Sequence, residues 1–493
     1  MRTTRLARST GALVVLVIVL IGAACGGSSS TSTGGDDGGG ADLPDCPVEA
    51  LDTATSPVEV VVWHSYVAKT KETLEKLAAQ YNASQDKVEV RVESQGNSYD
   101  ELWSKYQQSA QSGGLPAIAI LEDTSTQSIV DSGTILPAQS CIDADDYDTS
   151  DLVQTGIDYY SIGDAFYPAS VNMSSPLLYF NKNHLRRANL DPNTAPTTLE
   201  EVRTVAQAIK DAGVAPTPLV MNMSSWYIET WLTGDGKAIV DNENGRGGGE
   251  TTAAGFDNAD TVALMQWLKD MNADGLLNAI PYTPGKIDHL LAMSEQSASM
   301  VFETSTAATS IKAFLAGDTS IVADASAEDA QAAANVDTSG LDIDAAQIPG
   351  ITAAGQIQVS GGAWYMTNST APEVQAAAWD FMKWWNEPAA QIVWNTEGSY
   401  IPFSTTAAQS PEVQQFWQND NAGRWLSLSY EQLSQGVDPD WPGPLIGAYD
   451  DTRDAIESGL DELILQGKDP QAMVTDAANA TTAAIERYNE GNF

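Results

Sequence analysis

One opening pattern limits the fold of this chain more than any other. Val58–Trp63 (VEVVVW) is an unbroken β-prone run, as a strand covered on both faces requires. Lys71–Asn82 follows with Leu74, Leu77, Ala78 and Tyr81 at helical spacing on one face. Lys87–Val92 (KVEVRV) then alternates with period two. Strand, helix, strand in that order opens an α/β domain with a parallel sheet. The alternation continues along the chain. Strands are predicted at 117–121, 176–181 and 299–303, and helices at about 198–212 and 257–272. Residues 322–345 are rich in Ala, Asp and Ser and predict an irregular segment or a weak helix. The last third predicts helices at 372–386, 388–395, 411–418, 448–466 and 470–489, and no internal repeat is visible.

The N-terminus sets the compartment. Arg2, Arg5 and Arg8 precede an apolar run, GALVVLVIVLI, that is short for a membrane span and is followed by GAAC. This is a signal peptide over 1–24. Cys25 after Gly-Ala-Ala resembles a bacterial lipobox, with Gly22 where Leu is usual, so Cys25 is the expected lipidation site. Residues 25–56 are the expected anchored linker. Their Gly/Ser/Asp-rich part spans roughly 25 Å, from about 5–6 Å × √n. With Cys25 lipidated, Cys46 and Cys141 remain in an oxidising compartment and are expected to form a disulfide. The alternative is two buried thiols.

Asp and Glu number 66 against 24 Lys and Arg, a formal net charge of -42. Such a surface repels phosphate backbones and anionic headgroups, which argues against nucleic-acid binding. Enzyme signatures are missing. The sequence has no G-x-S-x-G elbow and no H-E-x-x-H, and its three His (His64, His184, His289) stand in unrelated contexts. A secreted glycoside hydrolase would need a carboxylate pair, which a chain this acidic cannot single out. The acidic runs 143–148 and 241–244 lack the EF-hand pattern and are expected to be solvated loops. No metal and no cofactor is expected.

Several segments in order resemble the extracellular solute-binding proteins of ABC importers, the sugar-binding (family 1) type and in particular its glycerol-3-phosphate-binding branch. They are Trp63-His64-Ser65, Gly96-Asn97-Ser98-Tyr99, Leu115-Pro116-Ala117-Ile118, the run Asn172–Lys182 (NMSSPLLYFNK), Ser360-Gly361-Gly362-Ala363 and Gly398-Ser399-Tyr400-Ile401-Pro402. The resemblance implies a periplasmic-binding-protein-like fold, two discontinuous α/β lobes joined by a hinge, with ligand in the cleft. It puts one lobe at 57–171 plus 306–360 and the other at 172–305 plus 361–493. It also implies a non-enzymatic, monomeric lipoprotein that hands a small solute to a permease in the cytoplasmic membrane. A sensor or adhesion protein on the same fold is the alternative that sequence leaves open.

Carried over residue by residue, the resemblance points to Tyr99, Asp123, Ser174, Trp226, Thr304, Gly362 and Tyr400. Asp123 directly follows a strand, where a carboxylate can accept hydrogen bonds from a polyol, or simply cap a helix. Ser174 and Thr304 have turn and cap readings. An indole such as Trp226 can stack on a sugar face or fill a core. Gly361-Gly362 permits close backbone approach, or forms a bulge or tight turn. Tyr400 offers a hydroxyl. The phosphate-binding branch carries a basic residue near a turn that corresponds here to Gly443–Gly447, and Leu445 stands in its place. An apolar side chain cannot replace a guanidinium fork on a phosphate, although Arg424 or Arg453 could compensate. The expected ligand is therefore a neutral carbohydrate or polyol, with glycerol-3-phosphate or a glycerophosphodiester as the alternative.

Overall fold

In the computed structural model residues 43–322 and 327–491 are described. The expected signal peptide, Cys25 and the linker to residue 42 lie outside them. After a 3-10 turn at Val48–Thr53, the main elements begin with β1 (Val58–His64), α1 (Ala68–Ser84), β2 (Val88–Ser94), α2 (Tyr99–Ser112), β3 (Ile118–Glu122), β4 (Ile135–Leu136), β5 (Ser170–Ser174) and β6 (Pro176–Asn181). It continues through α3 (Leu199–Asp211), β7 (Leu219–Asn222), α4 (Ser225–Gly234), α5 (Ala259–Ala273), β8 (Leu277–Ile280) and β9 (Met300–Thr304). The last part holds α6 (Ala308–Leu315), β10 (Ile343–Gln347), β11 (Ser360–Thr367), α7 (Pro372–Trp385), α8 (Pro388–Gly398), α9 (Asn421–Glu431), α10 (Tyr449–Leu465) and α11 (Pro470–Asn489). No helix among the described residues is long and apolar enough to cross a membrane.

Two sheets organise these elements. The first runs β2-β1-β3-β11-β4, with β5 also paired to β11. Its β1, β2 and β3 are parallel, and β11 is antiparallel to β3, β4 and β5. The second runs β8-β7-β9-β6-β10, with β7, β8 and β9 parallel and β6 antiparallel to its neighbours. These are the two lobes. In β1, Val58, Val60 and Val62 are buried while Glu59 is exposed, and α1 buries the predicted Leu74, Leu77, Ala78 and Tyr81.

The chain passes between sheets in very little space. β5 ends at Ser174 and β6 begins at Pro176, leaving the fully buried Ser175 between them. Ser175 Oγ lies 2.8 Å from Ser429 Oγ and accepts a hydrogen bond from Gln432 Nε2 at 2.7 Å. The return crossing uses residues between β10 and β11.

Strand pairing places three stretches outside their expected lobes. Residues 172–174, expected with the second lobe, pair with β11 in the first sheet. Residues 343–347, expected with the first lobe, pair with β6 in the second sheet. Residues 361–367, expected with the second, form the strand that joins β3, β4 and β5 in the first. The run Ala363–Met366 is wholly buried, and a strand apolar on both faces needs the interior position that β11 takes. The Ala/Asp-rich 343–347 is half-buried throughout, as suits a sheet edge. The helix Ala327–Ala334 precedes it.

Cys46 and Cys141 are joined by a disulfide, with Cα atoms 4.9 Å apart. Cys46 is buried, and Val48 and Leu51 pack on the core. The end of the expected linker therefore belongs to the folded body, because these apolar side chains and the cross-link hold it there. Asp145, in one acidic run, pairs with Lys383 at 2.6 Å and accepts from Trp379 Nε1 at 2.9 Å. Asp241, in the other, accepts from Thr252 and Ala253 and shapes its own loop.

Candidate functional site

Parallel strands present their carboxyl ends on one side of a sheet, and ligands of open α/β sheets bind there. Tyr99 follows β2, Asp123 follows β3, Trp226 follows β7 and Thr304 ends β9. Four of the seven expected residues thus hold that topological position, two from each sheet.

Asp123 is 3% exposed. Its carboxylate accepts from Tyr159 Oη at 2.7 Å and from the Gly361 N–H at 3.2 Å. Burial, followed by the neighbouring Glu122 charge, pushes its pKa up to about 7. The two glycines make the approach possible. A Cβ on Gly361, at φ +137°, would meet Asn172 O at 1.8 Å, and one on Gly362 would meet Tyr99 Oη at 2.4 Å. Tyr99 Oη in turn lies 3.1 Å from Tyr400 Oη. Tyr66 packs against both rings, with centroids 6.3 Å and 5.6 Å away.

This tyrosine cluster rests on the core of the first lobe. Trp364, Trp385, Trp394 and Tyr400 follow one another at centroid spacings of 4.3, 5.0 and 5.3 Å. Asn172, 1% exposed, accepts from Trp394 Nε1 at 2.9 Å and donates to Tyr66 Oη at 2.5 Å, tying core to site. Burial is the main cause that raises the phenol of Tyr400, to about 12, so it stays a neutral donor at physiological pH.

Ser174 lies opposite Ser360 in the β5–β11 ladder, and its carbonyl accepts from Ser360 Oγ at 3.0 Å. Thr304 pairs with Pro176, and its hydroxyl accepts from the Thr306 N–H at 3.3 Å, the cap reading. Asp123, Gly362, Tyr99 and Tyr400 are therefore in direct contact or one residue apart, with Ser174 and Thr304 at the adjoining crossing. Trp226 is separate. It is half-buried in the first turn of α4, capped by Ser224 and 5.3 Å from the Tyr227 ring.

Sequence reasoning named Arg453 only as a possible phosphate partner and missed the carboxylates that hold it between Trp226 and Asp123. Arg453 on α10 donates through Nη1 to Glu122 at 2.8 Å, through Nε to Glu229 Oε1 at 3.0 Å and through Nη2 to Glu229 Oε2 at 3.0 Å. Glu229 on α4 is fully buried and also accepts from Tyr449 Oη at 3.1 Å. Burial alone would lower the guanidinium pKa, but the Glu229 and Glu122 carboxylates hold it well above its ordinary value. Glu457, one turn on from Arg453, accepts from Ser225 N at 3.0 Å and Ser225 Oγ at 3.1 Å, and burial pushes its pKa up to about 7. The available signal was Glu229 itself, a lone carboxylate in the apolar helix SWYIETWLTG.

Leu445 is half-buried and donates its N–H to Asn244 O at 3.0 Å. Arg424 is paired with Asn421 at 2.7 Å on an exposed face. Arg246 lies against the Leu445 turn, donating to Gly443 O at 2.6 Å, with its guanidinium 4.6 Å over the Tyr159 ring.

Residues 76–421 match the family described as bacterial extracellular solute-binding protein. The chain belongs to that family. It is the solute-binding protein of an ABC importer, and its neighbours share the two-lobed fold. The sn-glycerol-3-phosphate-binding periplasmic protein UgpB of Yersinia pestis bv. Antiqua (strain Antiqua) is 23% identical over 446 residues, which cover 89% of this chain and 95% of that one. Among solved structures, UgpB from Mycobacterium tuberculosis in complex with glycerophosphocholine superposes with a TM-score of 0.70 at 17% identity, covering 88% of this chain and 100% of the other. The cyclic alpha-maltosyl-1,6-maltose binding protein from Arthrobacter globiformis gives 0.65 at 20%, with 88% and 100% covered.

Proposed function

We propose that this solute-binding protein is tethered outside the cytoplasmic membrane through Cys25 and captures a neutral carbohydrate or polyol for its permease. The first lobe is built on the sheet of residues 58–174 and 360–367, the second on the sheet of residues 176–347, and ligand closes one against the other. Tyr99, Asp123, Gly362 and Tyr400 form one wall, Trp226 the other, with Ser174 and Thr304 at the hinge side. Asp123 accepts from ligand hydroxyls, the tyrosine hydroxyls donate, and Trp226 stacks on a C–H face. No catalysis is involved.

The observation that carries this reading is the wall itself. A buried carboxylate, two tyrosine hydroxyls in contact and the Gly361-Gly362 backbone, which lets Asn172 and Tyr99 pack close against it, converge at the strand ends, a donor and acceptor set suited to a polyhydroxylated solute. Leu445 in place of a basic residue supports a ligand without phosphate. A glycerophosphate ligand is the second reading, favoured by Arg246 beside the Leu445 turn and by what the Yersinia relative is named for.

Calorimetric titration of the purified protein tests both. The panel holds mono- and oligosaccharides, polyols, glycerol-3-phosphate and glycerophosphodiesters. Micromolar or tighter binding of a neutral compound is expected. Binding of the phosphates alone would transfer the conclusion to the second reading.

A further inference from the structure

The Glu122–Arg453–Glu229 triad has a geometry that bears on which solutes the cleft admits. A guanidinium recognises phosphate or carboxylate through two parallel N–H donors. Arg453 has used Nε and Nη2 in that mode on Glu229, and Nη1 on Glu122. Glu229 has no exposed surface and is held from behind by Tyr449 Oη, so it cannot swing into water to release the fork. Two carboxylates oppose one guanidinium, which leaves the triad formally anionic. Its position matters equally. Glu122 precedes Asp123 in the chain. Glu229 lies three residues past Trp226, on the same side of α4. The triad therefore joins the two walls assigned above.

We propose that Glu122 and Glu229 are specificity residues, built-in counter-anions that occupy Arg453 and exclude anionic solutes from the cleft. This rests on the reading that the cleft between the lobes is the binding site, and it adds a cause for selectivity independent of Leu445. A buried cation whose Nε–Nη2 fork is already matched by a carboxylate does not offer that fork to an incoming phosphate, while the surplus negative charge disfavours its approach. Neutralising one carboxylate removes the surplus negative charge, and neutralising both also frees the fork. Glutamine keeps the volume and an acceptor oxygen and removes one negative charge, so either single variant takes the triad from formally anionic to neutral, and the double variant leaves Arg453 without a carboxylate partner.

The test compares the wild type, Glu122→Gln, Glu229→Gln and the double variant, with glycerol-3-phosphate as the anionic probe and the same neutral panel beside it. Circular dichroism and melting curves report folding. Glu122 is 27% exposed at its side chain, so Glu122→Gln folds even if the buried Glu229→Gln does not. The wild type is expected to show no glycerol-3-phosphate binding at millimolar concentration. Glu122→Gln is expected to bind it at least tenfold more tightly, more so at low salt. A folded Glu122→Gln with no such gain overturns the proposal, as does wild-type binding of glycerol-3-phosphate. A gain in the variants without any neutral ligand for the wild type supports the proposal while removing the neutral-solute reading, so the two failures are distinct.

Discussion

Adding one methyl group at Gly362 tests the site wall most sharply. In Gly362→Ala the new Cβ would stand 2.4 Å from Tyr99 Oη, 3.1 Å from Tyr99 Cζ and 3.2 Å from Leu121 O. Ordinary contact is about 3.5–4.0 Å, so the hydroxyl must retreat by roughly 1 Å. Leu121 belongs to β3 and cannot yield without moving the strand. Tyr99 is half-buried at the start of α2 and can yield, at the expense of its 3.1 Å bond to Tyr400. Overpacking of this kind costs about 1–3 kcal/mol, and the lost hydrogen bond is about 0.5–1.5 kcal/mol of it. Tyr99→Phe removes the atom at 2.4 Å and leaves Cζ at 3.1 Å, which a small ring tilt accommodates. Urea denaturation of the four proteins of the cycle measures the coupling. Gly362→Ala is expected to cost at least about 1 kcal/mol less in the Tyr99→Phe background than in the wild type. Ligand affinity should fall about tenfold or more in the single variant, as Tyr99 leaves its place. Equal destabilisation in both backgrounds would refute the argument that Gly362 is there for Tyr99.

Three further outcomes are expected. Trp226→Ala should weaken ligand binding at least tenfold in calorimetry while leaving the melting curve close to wild type, since the ring is half-buried; an unchanged dissociation constant removes Trp226 from the site. Replacing Cys46 and Cys141 by Ala should lower stability by about 4–5 kcal/mol in the chain-entropy account for a loop of 95 residues, with an unchanged urea midpoint as the contrary result. Asp123 is raised from an ordinary 3.8 to about 7, so the folded state holds its proton more tightly than the unfolded chain. Its contribution is therefore most favourable at low pH and is lost as pH rises through about 4–7. Wild-type stability measured against Asp123→Asn should fall across that window and level off above it, and a difference that rises with pH contradicts the assignment.

The opening β-α-β unit was legible because its buried residues recur with periods the eye can find. The helices of the last third were legible for the same reason, several beginning with Pro and ending with a polar stop. β11 was not. Its first residues, Ser360-Gly361-Gly362, read as a turn, and only their pairing with β3 and β5 makes them strand. The exchange of 172–174, 343–347 and 361–367 between lobes is set by long-range strand pairing, which no local pattern reports. Of the candidate site residues, Tyr99, Gly362 and Tyr400 lie inside the motifs quoted above, and Asp123 directly follows a strand legible from its apolar run. Arg453 and Glu229 stand 224 residues apart, and no spacing or periodicity connects them. Long-range charge pairs are set by tertiary packing, so local pattern is silent about them.

The central claim is that a solute sits between the two lobes, against Asp123 and Tyr99 on one side and Trp226 on the other. The crystal structure of the protein with the tightest neutral compound from the titration panel tests it directly. The expected result is ligand hydroxyls within hydrogen-bonding distance of Asp123 and of Tyr99 or Tyr400, a C–H face over Trp226, and the Arg453 triad intact behind it. Ligand bound elsewhere, or held by Arg453 with Glu122 displaced, would contradict the account.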